Sequence, residues 1–127
     1  MNFVILDHQP PNAGTPSEAR TAERHFDLMF EVKADEKLKT FALETLPLNE
    51  GDAVESTKLD DHRRDYLSYE GPVSDNRGTV TRIAEGNWTG DLAGQLTLTF
   101  DAGSVSYAGQ IWHVRFEAEG SRLHRTS

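Results

Sequence analysis

The stretch RHFDLMFEV, residues 24–32, decides the fold. Phe26, Leu28, Phe30 and Val32 alternate with His25, Asp27, Met29 and Glu31. Strict alternation marks a half-buried β-strand, because successive side chains leave opposite faces of the backbone. One face is apolar enough to line a core. The other holds out an imidazole and a carboxylate two residues apart, which a strand projects side by side.

Working outward, the same pattern recurs. FVIL (residues 3–6) reads as a short strand running into Asp7 and His8. After the polar turn KADEK, LKTFALETL returns as the second strand of a hairpin. TVTRIAEG, QLTLTFDAG and IWHVRFEAE read as further strands, with NWTGDLAG as a turn region. QPPNAGTPSE, PLNEGDA and GPVSDNRG are loops by their Pro, Gly and Asn content. SEARTAER (17–24) predicts one or two helical turns capped by Ser17. VESTKLDDHRRDYLSYEG is charged and mixed in character, with residues 60–66 a loop or one helical turn. SRLHRTS reads as a fraying end or a short edge. About seven short strands with turns between them predict a mainly β fold. The expected form is a small single-domain antiparallel β-barrel, or a sandwich, over residues 1–127, with short helical turns and loops.

With 127 residues, the chain is long enough to bury a core without staples. It has no cysteine, which removes disulfides, thiolate metal sites and thiol nucleophiles. Any metal must be held by imidazole, carboxylate, carbonyl or water, a donor set suited to manganese, magnesium, zinc or iron. The start, MNFVILDHQPP, is neither basic nor apolar for long enough to be a signal peptide, and no run reaches membrane-span length. The expectation is a soluble, cytoplasmic monomer. A formal net charge of −8 argues against a large nucleic-acid surface but leaves room for a local basic groove.

Three polar groups stand out: His8 at the end of the first strand, the His25–Asp27 pair, and His62 shortly before Tyr66 in DDHRRDY. Two imidazoles and a carboxylate are chemically sufficient for a metal centre with open positions, provided His8 arrives on a neighbouring strand. The plainer reading is that a His-x-Asp pair faces solvent and that His62, amid so many charges, does the same. His113 shares a polar face with Arg115 and Glu117, and Trp88 and Trp112 read as core or barrel-closing residues. Arg63, Arg64, Arg77, Arg82 and Arg115 could bind phosphate or form surface ion pairs of little weight.

The order of these motifs resembles the 3′-phosphoesterase domain of bacterial DNA ligase D. FVILDH is similar to that family's FV-x-x-x-H strand, and RHFDLMFEV to its L-H-Y-D-F-R-L-E strand. LKTFALETLP follows as LK-S-W-A-x-P, and KLDDHRRDYLSYEGP as V-E-D-H-P-x-x-Y-x-x-F-E-G. RGTV, EGNW and AGQIWHVRF then match its G-T-V, G-x-W and G-x-W-x-L-V-R segments, so the likeness is colinear over nearly the whole chain. It implies a β-barrel enzyme that uses manganese, zinc being the alternative. Such enzymes remove 3′-phosphates and terminal ribonucleosides from DNA or RNA–DNA ends. It also implies His8, His25 and Asp27 as metal ligands and His62 and Tyr66 as catalytic residues at the scissile phosphate. Separate ligase and polymerase proteins would be the partners.

The departures matter as much. The family carries an arginine two residues after the metal-binding aspartate, where this chain has Met29. Methionine can neither donate a hydrogen bond nor neutralise an oxyanion. Arg63, Arg64 or Arg77 are the candidates to replace that charge, and Lys58 to replace a basic residue upstream of DDH. Two alternatives therefore stand beside the enzyme: a catalytically impaired metal- or protein-binding barrel, and a phosphoesterase for small nucleotides.

Overall fold

A computed structural model describes residues 1–10, 24–73 and 78–127. They form nine strands: β1 (Asn2–Gln9), β2 (His25–Phe30), β3 (Leu38–Leu43), β4 (Ala53–His62), β5 (Gly71–Pro72), β6 (Thr79–Gly90), β7 (Gln95–Phe100), β8 (Ile111–Phe116) and β9 (Arg122–Thr126). Two short 3-10 turns, Arg64–Leu67 and Ala118–Gly120, complete the described elements. Eight strands close an antiparallel barrel in the order β1-β2-β3-β4-β9-β8-β7-β6, with β6 returning to pair with β1. Closure is how a small all-β chain removes exposed strand edges. The long β6 makes it possible, pairing with β1 over residues 79–87 and with β7 over residues 86–90. Gly86 sits at the crossover, where a Cβ would lie 2.0 Å from the Thr99 carbonyl oxygen. Only glycine lets the two strands approach so closely.

The barrel interior holds Phe3, Ile5, Leu28, Phe30, Phe100, Trp112 and Phe116, all nearly inaccessible to water. Trp112 is core, as its sequence context suggests. Trp88 is half-buried, packs edge-on to Phe30 and donates its indole N–H to the Glu31 carbonyl at 2.9 Å.

The structure revises several local expectations. β2 ends at Phe30, and Val32 lies half-buried beyond it. The outer face of β2 is not wet: Asp27 and Met29 are each only 1% exposed. A second apolar cluster of Val4, Leu6, Met29, Leu38, Tyr66 and Val80 packs there. It forms because the 3-10 turn lays Tyr66 over the outside of the barrel. The mixed segment before His62 is the ten-residue strand β4. NWTG belongs to β6, not to a turn. SRLHRTS is neither frayed nor an edge, because RLHRT is β9, a stave paired to β4 on one side and β8 on the other. Leu123, 1% exposed, anchors it in the core. The helical turns expected at 17–24 and the Ser17 cap fall almost wholly outside the described residues. Among those residues no helix is long and apolar enough to cross a membrane.

Candidate active site

β1 and β2 are antiparallel neighbours whose register sets His8 directly against His25 and Leu6 against Asp27. Opposed residues point to the same side of a sheet. His8, His25 and Asp27 therefore emerge together on the outer wall of the barrel. Their donor atoms all lie within 4.8 Å of one another. His8 Nδ1 is 3.0 Å from Asp27 Oδ2, and His25 Nε2 is 3.0 Å from Oδ1. The two imidazole rings lie 4.6 Å apart, centroid to centroid.

Asp27 is the unusual member. Burial pushes its carboxyl pKa up, but the contacts with His25 and His8 outweigh burial and hold it below the ordinary aspartate value. The carboxylate is thus kept charged in an apolar setting. The His8 contact is a hydrogen bond to Oδ2, whereas buried Oδ1 has, among the described residues, only the 3.0 Å ion-pair contact with His25 and no further hydrogen-bond partner. A buried, charged and incompletely satisfied oxygen is costly in a pure protein environment. It is the expected state of a ligand whose partner is a cation. Two imidazoles and one carboxylate fit manganese or zinc.

Beside this group opens a cleft of about 330 Å³. It is lined by His8, Asp27 and Met29 from β1 and β2, by Asp60, Asp61 and His62 from the end of β4, and by Arg63 and Tyr66 from the turn that follows. Val73 and Val80 complete the lining, while His25 lies outside it. A register shift between β3 and β4 pairs Leu38 with His62 but Thr40 with Leu59. Such bulges re-aim side chains, and here the irregularity falls on Asp60 and Asp61. His62 Nδ1 lies 2.8 Å from the Asp60 carbonyl oxygen. A carbonyl only accepts, so Nδ1 carries the proton and Nε2 is the basic nitrogen of the neutral ring. Tyr66 is 9% exposed, with its ring 5.8 Å from that of His62.

The structure separates the candidate cations. Arg63 lines the cleft. Arg64, the next residue, points away: it pairs with Glu31 and donates to the carbonyls of Lys33 and Glu36 at 3.0 and 3.1 Å. It ties the 3-10 turn to the β2–β3 hairpin. Arg82 does similar work, donating to the Leu67 carbonyl at 3.1 Å. Arg77 lies outside the described residues. Lys58 stands not in the cleft but on an adjoining open shelf with Lys37, and it shares Asp61 with Lys39 at 3.5 and 3.0 Å. Asp60 and Asp61 are site residues that alternation did not single out, because the bulge breaks the period there. The sequence signal was their place immediately before His62.

The chain matches no protein-family model and no curated protein.

Proposed function

We propose that the protein is a metal-dependent phosphoesterase that trims 3′ ends of DNA, releasing a terminal phosphate or ribonucleoside. The supporting observation is that one cleft gathers His8 and Asp27 from β1 and β2 with His62 and Tyr66 from the end of β4 and the turn after it. A divalent cation, manganese or else zinc, would be held by His8, His25 and Asp27 and would supply Lewis acidity toward a phosphoryl oxygen and a more acidic water. The chain's own residues do the rest. His62, with Nδ1 fixed by the Asp60 carbonyl, presents Nε2 to accept or return a proton. Tyr66 donates its hydroxyl to a phosphate oxygen from a ring already immobilised in the outer apolar cluster, which lowers the orientational cost. The apolar floor of Met29, Val73 and Val80 limits water.

A primer-template ending in a 3′-phosphate, incubated with the pure protein and manganese, should release phosphate. The release should fall at least about 100-fold in His62→Ala. Absence of release by wild type with every divalent metal tried would defeat the reading. Met29 favours a second one, since a buried thioether offers an oxyanion nothing. On that reading the barrel binds manganese or zinc tightly, loses it in His25→Ala, and has no affinity for DNA. Hydrolysis of mononucleotide 3′-phosphates without action on DNA would instead assign it small phosphate esters.

A further inference from the structure

We infer that Arg63 is the anion-binding cation of this cleft, the residue that grips the substrate phosphate in place of any basic group on β2; the inference rests on the phosphoesterase reading above. Four observations converge on it.

The cleft is otherwise hostile to anions. Asp27, Asp60 and Asp61 line it, and among the described residues Arg63 is the one Lys or Arg that does. Asp61 is offset by Lys39 and Lys58, but Asp60 and Asp27 are not offset by any lysine or arginine ion pair among the described residues. A phosphate entering this space meets carboxylates unless a cation faces it.

Arg63 is also uncommitted. Among the described residues its guanidinium makes neither a hydrogen bond nor an ion pair. It lies over the Tyr66 ring, 5.9 Å from the centroid. A cation–π contact of this kind leaves the N–H donors unused. Its neighbour Arg64 is the contrasting case, with its donors taken by Glu31 and two carbonyls.

The backbone of Arg63 is held at the turn, and the side chain of the residue before it is held too. The Arg63 carbonyl accepts the Tyr66 N–H at 3.1 Å as the 3-10 turn begins. The preceding His62 is fixed through the Asp60 carbonyl. Arg63 is thus an extended residue at the turn entrance (φ −62°, ψ 144°), in the cleft lining beside His62 and Tyr66.

Finally, the β2 residues of the lining, Asp27 and Met29, offer no substitute. Met29 is buried 1% exposed and apolar. A guanidinium presents a planar fork of donors that matches two phosphate oxygens at once, so Arg63 supplies both the charge and the geometry that the β2 wall lacks.

The test uses the full chain loaded with manganese and thymidine 3′-monophosphate as the probe, with affinity read by calorimetry and manganese affinity read separately by electron paramagnetic resonance. Arg63→Gln should weaken nucleotide binding about 10- to 100-fold, the range for a lost charge-assisted pair. Manganese affinity should stay within about twofold, because Arg63 is not a ligand. Arg63→Lys should recover part of the loss, charge without the fork. The salt dependence of nucleotide binding should be shallower in Arg63→Gln than in wild type. Wild-type binding of the nucleotide with no loss in Arg63→Gln overturns the role of Arg63 alone. Wild-type protein that binds manganese but not the nucleotide overturns the phosphoesterase reading together with it.

Discussion

The two faces of β2 are built from the same six residues yet obey different physics. Phe26, Leu28 and Phe30 point into the barrel, where removal from water is the whole of their contribution. His25, Asp27 and Met29 point outward, under the 3-10 turn, where a charged carboxylate is held among imidazoles and apolar side chains. The inner face is satisfied by the protein alone. The outer face is not, since among the described residues Asp27 Oδ1 lacks a hydrogen bond. One strand thereby separates residues that stabilise the fold from those that the proposed function would use.

The comparison breaks most decisively on the inner face. Phe30→Ala should cost about 3–5 kcal/mol by emptying the barrel centre, read as a lower urea midpoint. On the outer face, Asp27→Asn should keep the fold, measured by far-ultraviolet circular dichroism, while manganese affinity drops more than about 100-fold. If Asp27→Asn unfolds the barrel as Phe30→Ala does, the two faces are not separable.

A smaller effect is expected at the strap over the outer face. Arg64→Gln should lower stability by about 1 kcal/mol, since its pair with Glu31 is only partly buried. Hydrogen exchange should quicken at the Tyr66 amide, which bonds the Arg63 carbonyl.

Acid should sharpen the contrast in the metal-free protein. The Asp27 carboxyl is held below its unfolded value of about 3.9. Its contribution is therefore complete above that value and is lost as pH falls through the lower folded one. The stability gap between wild type and Asp27→Asn should be constant above about pH 5 and narrow below about pH 4. No such trend should appear for Phe30→Ala. The smallest effect belongs to a histidine–carboxylate pair that lacks a cleft. His124 Nε2 lies 2.6 Å from Glu117 Oε1, with the glutamate exposed and the histidine half-buried. Glu117→Gln should leave the urea midpoint unchanged within error.

Alternation at HFDLMF and QLTLTF, with the short apolar run FVIL and the returning strand LKTFAL, was enough to expect an antiparallel barrel or sandwich, because period two leaves one apolar face that must be covered. It was also enough to put His25 and Asp27 on one side of a strand. Neither reading needed a neighbour. β9 did need one: RLHRT carries a single core residue, Leu123, and is a strand because β4 and β8 leave a gap that only it fills. The same holds for the outer face. Nothing local says that Asp27 and Met29 are buried, and Tyr66, which packs with Met29, comes from far along the chain.

What the sequence by itself determined is the set of chemical groups and their periodicity: a cysteine-free chain, a His-x-Asp strand, and a histidine before each half of a future cleft. What only the tertiary structure decided is which of these groups meet. Register across β1 and β2 joined His8 to His25 and Asp27, and the bulge in β4 turned Asp60 and Asp61 toward them. Two adjacent arginines, indistinguishable by composition, were sent in opposite directions by the backbone at the start of a single turn. The physical reason is that period and residue type act along one strand. Burial and charge depend on what packs across it, and those partners come from distant parts of the chain.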